Sequence, residues 1–470
     1  AIILVCFLVV TLGFLYLAKT TMGLSRIMKT YVELELRKAF DREVSVGEIS
    51  TNIVNRVTLQ NVAIASEKRL SEGVVLTSEK VTINYNPLLI LLTKRNFGKS
   101  IVKVVVKSPN LFLTNRMGKW NFMLPATSGK VSAISILPDI LIVDGKITVE
   151  DVKEKVSKIE IRNVSGILAG RDRTHGLLRR ERSRPREKLS SQIYFNFSGK
   201  SNQSRKDKIR LKGTYSKETD ELSINLDTLD LDLANYSNLF LSRPNFRVLT
   251  GKGNLHLSLR MTLNDENYKR ITEMATPMGR ERERLKDFAQ ILSFSGELAL
   301  ADLSCRWLSH TVKDIRGSIV FDNYRIGSQG IFLRYEGLEL KLWGGLERYL
   351  SQPALGLTLS ANLGLSSLPE IVKIDGLNSL LPLEGSAKLS ASISGSLSNP
   401  NLKGWFLSRE AKIAGRPVEE LQGQFVYQNR LVSITNIQGK IHEGTLVFSG
   451  KIDIDQRYLD LDFALRSINL

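Results

Sequence analysis

The chain has 470 residues, of which 42% are hydrophobic and 24% are charged. This composition excludes a wholly disordered chain, because disordered segments combine low hydrophobicity with high net charge. The 66 basic and 48 acidic residues give a net charge of +18, which favours anionic partners. No helix-turn-helix, RNP-like or zinc-knuckle pattern accompanies this charge, so we expect no nucleic-acid partner.

The N-terminus carries a long apolar segment, residues 1–18, with Lys19 as its first charged residue. At about 1.5 Å per residue, this segment would span about 27 Å, close to a hydrocarbon core of about 30 Å. We therefore predict a single-pass transmembrane anchor with the bulk of the chain outside the cytoplasm. A cleaved signal peptide is the alternative, but Tyr16-Leu17-Ala18 matches its cleavage site poorly. Because the chain begins with Ala1, we expect it to be part of a longer protein.

Residues 19–43 are predicted to form an amphipathic helix. Apolar residues recur there at three- and four-residue spacing, namely Leu24, Ile27, Met28, Tyr31 and Leu34. The simpler interpretation is a helix packed on the start of a sheet. The other is a helix lying on the membrane surface.

From Val44 onward the apolar period changes to two, which is typical of strands with one apolar and one polar face. We predict three β regions, residues 44–168, 191–264 and 295–470. The clearest alternation supplies candidates for lining an apolar groove: Leu222, Ile224, Leu226, Leu255, Leu257, Leu259, Leu338, Leu340, Leu342, Leu355, Leu357 and Leu359. An ordinary β-sandwich core would explain the same alternation.

Two segments interrupt the β pattern. Residues 169–190 are rich in Arg and Lys and are predicted to form a mobile loop, either simply solvated or in contact with headgroups or envelope polymers. Residues 265–294 are predicted to form a helical insertion broken near Pro277, which either covers the sheet or acts as a lid. Its apolar positions are Ile271, Met274, Leu285, Phe288, Ala289 and Leu292.

An internal repeat relates residues 312–323 to residues 418–429. Repetition of this kind predicts a sheet that grows by adding similar units. Asp144-Gly145 is a hairpin signal and favours antiparallel neighbours. Gly251-Lys252-Gly253 predicts a further turn, because it lacks the third glycine and following helix of a nucleotide-binding loop.

The sequence offers no pattern of catalytic residues. His175, His256, His310 and His442 form no metal-spaced cluster, and His256 is predicted on the polar side of a strand. Nucleophile-elbow and phosphate-loop patterns are absent from the sequence. We therefore predict that the protein is not an enzyme and has no cofactor.

Residues 102–113, followed by Gly118-Lys119-Trp120-Asn121, resemble the early region of AsmA-like proteins. Residues 393–404 are similar to a unit that recurs in TamB proteins. The resemblance implies a mainly β fold: an elongated, twisted, largely antiparallel sheet curled into an open hydrophobic groove. It also implies an N-terminal transmembrane helix and a few amphipathic helices.

The same resemblance implies a function at the bacterial inner membrane, with the bulk of the chain in the periplasm. Such a protein would conduct phospholipids or other acyl lipids through its β-groove between the inner and outer membranes. A C-terminal domain missing from this sequence would meet an outer-membrane assembly protein. The alternative is a translocation factor or scaffold for outer-membrane β-barrel and autotransporter proteins. An outer-membrane barrel itself is disfavoured by the apolar N-terminal segment.

Overall fold

The structure is a computed structural model. It describes residues 29–30, 32–34, 36–37, 40–52, 55–88, 100–116, 119–121, 138–151, 158–170, 192–201, 208–216, 218–240, 245–264, 267, 291–308, 310–349, 351–367, 382–442, 444–453 and 458–466. The predicted anchor, residues 1–18, lies outside the described residues. So do residues 171–190 of the predicted basic loop and almost all of the predicted helical insertion.

The chain divides into two compact units. The first unit contains residues 1–230 and 258–279, and the second contains residues 231–257 and 280–470. The strands of the first unit are β1 Val44–Ser45, β2 Glu48–Thr51, β3 Arg56–Ala65, β4 Val74–Tyr85, β5 Ile101–Arg116, β6 Lys119–Trp120, β7 Asp139–Asp151, β8 Lys158–Gly170, β9 Gln192–Ser201, β10 Lys208–Ser216 and β11 Glu221–Leu229.

The second unit begins with β12 Leu231–Asp232 and the short helix Leu233–Phe240. Strand β13, Phe246–Thr262, contributes residues to both units. The remaining strands are β14 Leu292–Trp307, β15 His310–Asp322, β16 Arg325–Tyr335, β17 Leu338–Glu347, β18 Ala354–Gly364, β19 Leu383–Ser396, β20 Pro400–Ile413, β21 Arg416–Gln428, β22 Leu431–Ile441, β23 Gly444–Asp453 and β24 Tyr458–Arg466.

Strand pairing follows the chain closely in each unit. In the first unit the ladder runs β3, β4, β5, β7, β8, β9, β10, β11, with β1 and β2 on β3 and β6 on β5. In the second unit β14 to β24 pair consecutively. In these ladders of described strands, β5 and β7 run parallel and the other neighbours run antiparallel. The predicted mainly β and largely antiparallel fold is therefore confirmed.

Helical residues cover the start of the first sheet. The described residues between 29 and 40 are helical, and Val32, Leu36 and Phe40 pack against a buried cluster on β1 to β4. Leu34, which we predicted on the same apolar side, is instead 48% exposed. The four-residue spacing of 32, 36 and 40 sets the buried side of the helix, and Leu34 lies off that stripe. Leu24, Ile27, Met28 and Tyr31 lie outside the described residues.

Two further buried clusters lie in the second unit. The first contains Leu231, Leu233, Val248, Leu300 and Ile315, and Tyr236 of the short helix packs against it. The second centres on Val418 and Leu421 and includes Leu365 of the short 3-10 turn Leu365–Ser367. In both clusters a helical turn contributes apolar side chains to a cluster built mainly from strands.

The structure corrects two turn predictions. Asp144-Gly145 lies inside β7, where Asp144 has a φ of 55° and the pairing with β8 shifts register. The left-handed conformation that suits Asp-Gly to a hairpin also suits it to a β-bulge, and here it forms a bulge. Gly251 and Gly253 also lie within a strand, β13. A Cβ at Gly253 would lie 2.9 Å from Leu233 Cδ1, so this glycine allows close packing.

The predicted helical insertion ends earlier than expected. We assigned Leu292 to an amphipathic helix, but β14 begins at this residue. Leu292 is 5% exposed, and Ser293 and Ser295 on either side of Phe294 are exposed. The period-two pattern of the strand therefore starts within the segment that helical spacing had suggested.

The two repeat copies have the same local geometry. Residues 312–323 lie in β15 and the turn after it, and residues 418–429 lie in β21 and the turn after it. Asp314 and Glu420 occupy equivalent positions and have φ values of 54° and 53°. Each is followed by a register shift toward the next strand. The repeat is therefore a hairpin with a bulge at a fixed position.

Candidate functional site

An apolar face runs across the strands of the first unit. Leu222, Ile224 and Leu226 of β11 stand opposite Tyr215, Gly213 and Leu211 of β10. The next strand, β9, places Phe195 and Phe197 opposite Gly213 and Leu211, and these two rings stack with centroids 6.3 Å apart. Ser258 donates a 2.7 Å hydrogen bond to Asn225 Oδ1, so Leu259 lies on the same face as Ile224. The register therefore brings the candidate residues of β11 and Leu259 to one face.

A second apolar face crosses the second unit. Leu340 and Leu342 of β17 stand opposite Leu333 and Ile331 on one side, and opposite Ala361 and Leu359 on the other. The face continues on β18 and β19 with the pair Leu357 and Ile393. Leu338 and Leu355 lie on the same face, and Leu255 and Leu257 lie on either side of the exposed His256 on β13.

These side chains are only partly covered. Leu338 is 9% exposed and counts as buried, whereas the other candidates are partly exposed. In a β-sandwich a facing sheet buries such residues. Within each unit the described strands instead pair edge to edge, one after another. The described residues therefore form apolar faces that lack the second sheet of a sandwich.

The opposite face of the second unit carries polar residues together with some aromatic rings. On β17 and β18, Glu339, Lys341 and Asn362 are exposed. Lys341 Nζ lies 5.0 Å from the ring centroid of Phe332 and 5.7 Å from that of Trp343. His256 is exposed on the polar side of β13, as predicted. The period of two therefore places most polar residues on this face, and Phe332 and Trp343 share it with Lys341.

Five glycines on the apolar faces stand opposite a phenylalanine on the neighbouring strand. A methyl group added at Gly404 would lie 2.5 Å from Phe425 Cζ, and one at Gly296 would lie 2.7 Å from Phe321 Cζ. The aromatic ring therefore occupies the space above the glycine, an arrangement that helps to fix the register between the two strands. The pairs are Gly166–Phe197, Gly213–Phe195, Gly296–Phe321, Gly404–Phe425 and Gly423–Phe406.

β-Bulges recur in the middle of the strands. Asp144, Asn163, Asp302, Asp314 and Asn436 have φ between 51° and 55°, and register shifts accompany them. A bulge bends its strand and increases the local twist. Neighbouring strands such as β14 and β15 therefore bend at adjacent positions.

A compact charge cluster lies on the polar side of β7 and β8. Glu160 Oε1 accepts from Lys146 Nζ at 2.9 Å and Lys158 Nζ at 3.2 Å, and Oε2 accepts from Arg162 Nη2 at 2.8 Å. The Glu160 side chain is 10% exposed. The hydrogen bond from Arg162, followed by that from Lys146, lowers the pKa of Glu160 from 4.5 to about 2.

Replacing Glu160 with Gln should lower the free energy of unfolding by about 1.5–3 kcal/mol at neutral pH, because three cations lose their shared partner. In the wild type, the contribution of Glu160 is fully present above its unfolded pKa near 4.5 and is lost as the pH falls through about 2. Urea unfolding measured from neutral to acid pH tests both effects. Glu339→Gln, at a 70% exposed side chain, is the matched control and should cost less than about 1 kcal/mol. Equal costs for both variants would contradict the prediction.

Asn121, the last residue of the Gly118–Asn121 motif, forms hydrogen bonds with the backbone of β5. Asn121 Nδ2 donates to the Phe112 carbonyl at 2.8 Å, and its Oδ1 accepts from the Thr114 N–H at 2.9 Å. Arg42 Nη1 donates to the Asn121 carbonyl at 3.0 Å and to the Ser66 carbonyl at 2.6 Å. Asn121 therefore satisfies backbone groups of β5, and Arg42 links it to the turn after β3.

Titratable groups are scattered over the described residues. His310 Nδ1 lies 2.7 Å from the Tyr335 hydroxyl, and burial raises the pKa of the Cys305 thiol. Within the described residues there is no group of three His, Cys, Asp or Glu side chains that could hold a metal ion. No helix in this described part of the chain is long and apolar enough to cross a membrane.

Sequence reasoning missed the aromatic part of the apolar faces. The alternation of Ile193, Phe195 and Phe197 was a readable signal for β9. The glycine partners were not readable, because the pairing depends on the register between strands. The missed residues are Phe195, Phe197, Phe321, Phe406 and Phe425.

Comparison with known proteins does not assign this chain to a family. No protein-family model matches this chain, and no curated protein sequence matches it either.

Proposed function

We propose that this chain is an inner-membrane-anchored periplasmic protein that conducts phospholipids along its apolar sheet faces, between the inner and outer membranes. The observation that carries the proposal is the partial exposure of apolar side chains that are aligned in register over many strands. Large exposed apolar surfaces are unfavourable in water and mark binding sites. The resemblance to AsmA-like and TamB proteins supports the same function.

Acyl chains suit such a surface. Each methylene that leaves water contributes about 0.8 kcal/mol, so a lipid tail on the apolar face is strongly favoured. The polar face and the strand ends leave the headgroup in water. Transfer then requires no chemical step, and we propose that the protein is not an enzyme.

We further propose that the sheet curls into an open groove around the lipid. The bulges at Asp144, Asn163, Asp302 and Asp314 support this curvature, because a bulge bends its strand. The glycine–phenylalanine pairs support it as well, since glycine removes a side chain where the neighbouring ring lies close. Residues 1–18 would anchor the groove in the bilayer.

Mass spectrometry of lipids that copurify with the chain tests the proposal. We expect phospholipid in stoichiometric amount after extensive washing. A lipid-free protein that binds peptides from outer-membrane β-barrels would overturn lipid conduction and favour the scaffold function. A protein that retains neither lipid nor peptide would contradict both.

A further inference from the structure

A cleft whose lining includes several basic residues lies on β8 to β11 of the first unit. Its volume is about 560 Å³. The apolar residues Ile209 and Leu229 line it together with Ser198, Lys200, Lys208, Arg210 and Asp227. Lys200, Lys208 and Arg210 are exposed. Three cations and a single carboxylate therefore line this opening.

The strand register places like charges beside each other at the cleft. Arg162 of β8 stands opposite Lys200 of β9. Ile209 stands opposite Gly199, so the same register places Lys208 of β10 opposite Lys200. Cross-strand neighbours of this kind have Cβ atoms about 4.5–5.5 Å apart, and like charges at that distance destabilise a sheet.

Carboxylates offset only part of this charge. Glu160 accepts from Arg162 at 2.8 Å, and Asp227 stands opposite Arg210 in the register of β10 and β11. Among the described residues, no carboxylate forms an ion pair with Lys200 or Lys208. The row of cations therefore has two positive charges without a partner in the described part of the chain.

We propose that this cleft binds a phosphomonoester group, with Lys200, Lys208 and Arg210 as the recognising cations. A phosphomonoester carries about −1.5 to −2 charges at neutral pH, which matches the two uncompensated lysines, and it has three acceptor oxygens. A carboxylate ligand, by comparison, would bring only a single negative charge to the two lysines. Charge-assisted hydrogen bonds to phosphate are among the strongest that side chains form. The group is either a soluble phosphate ester or the headgroup of an anionic phospholipid such as phosphatidic acid.

Calorimetric titration of the whole chain with inorganic phosphate and glycerol phosphate tests the site, with acetate as the single-charge comparison. Flotation with phosphatidylcholine vesicles, with or without phosphatidic acid, tests the lipid source. Binding of the soluble phosphates assigns a small-ligand site. Binding only to vesicles that contain phosphatidic acid assigns a headgroup site. Acetate that binds as well as phosphate, or no binding in any arm, overturns the proposal.

The double variant Lys200→Gln/Lys208→Gln should bind phosphate at least about tenfold more weakly, because charge-assisted hydrogen bonds are lost. Without phosphate, at low salt, it should melt at a higher temperature than the wild type, because the like-charge contact is removed. Lys388→Gln/Lys403→Gln, at exposed positions of the second unit, removes the same charge and should keep full phosphate binding. Equal loss in both double variants would show a net-charge effect and overturn the site. Lipid copurification with the apolar faces is a separate readout and does not depend on this result.

Discussion

Leu359→Glu should reduce the phospholipid that copurifies with the chain by about tenfold or more. Leu359 lies on the apolar face, where it stands opposite Leu342 on β17 and Ala391 on β19. A carboxylate at this position would have to lose its hydration when an acyl chain covers it, and this loss is costly. Lipid mass spectrometry of the purified variant measures the effect directly.

Ser360→Glu is the matched control for this variant. Ser360 is the next residue on β18, and it projects from the opposite, polar face beside Lys341. The two variants introduce the same charge one residue apart, so any effect of net charge or strand propensity is shared. Lipid should remain bound to Ser360→Glu. Equal lipid content in the two variants would contradict conduction along the apolar face.

Gly404→Ala should lower the free energy of unfolding by about 1–3 kcal/mol, which is typical of overpacking in a filled site. The added methyl group would lie 2.5 Å from Phe425 Cζ and 2.7 Å from the Ser390 carbonyl oxygen. The Phe425 ring would have to move away from its position over the glycine, and the backbone of β19 would have to shift. Urea unfolding followed by circular dichroism measures the loss.

Gly356→Ala provides the comparison for Gly404→Ala. Gly356 lies in the interior of β18, and a Cβ there would meet no atom within 4 Å. This variant should be neutral or more stable by about 0.4–1 kcal/mol, because alanine restricts the unfolded chain more than glycine does. Equal free energies of unfolding for the two variants would contradict the prediction that the Phe425 ring leaves no room for a side chain at residue 404.

Local sequence determined which residues form strands and which face each side chain takes. The alternation at residues 338–342 and 355–359 predicted β17 and β18, because the strand period of two is a property of the backbone. It also predicted that Leu340 and Lys341 would take opposite faces. Strand propensity and side-chain alternation depend on local sequence, so both can be predicted without knowing which strands pair with each other.

The hairpin and turn predictions were wrong because the same local residues occur both in turns and inside strands. Asp144-Gly145 has the left-handed backbone of a hairpin turn, yet it forms a bulge because the chain continues as β7. Gly251 and Gly253 are glycines because Leu303 and Leu233 lie close to them. Neither outcome is visible in the residues themselves, since it depends on contacts with distant strands.

The sequence by itself determined a mainly β protein whose strands each have an apolar and a polar face. Only the tertiary structure decided that these faces align in register, with Leu342 between Ile331 and Leu359. Register also created the glycine–phenylalanine pairs and the row of Arg162, Lys200 and Lys208. The physical reason is that side-chain alternation follows from each strand's own backbone, whereas register follows from bulges and hydrogen bonds between strands.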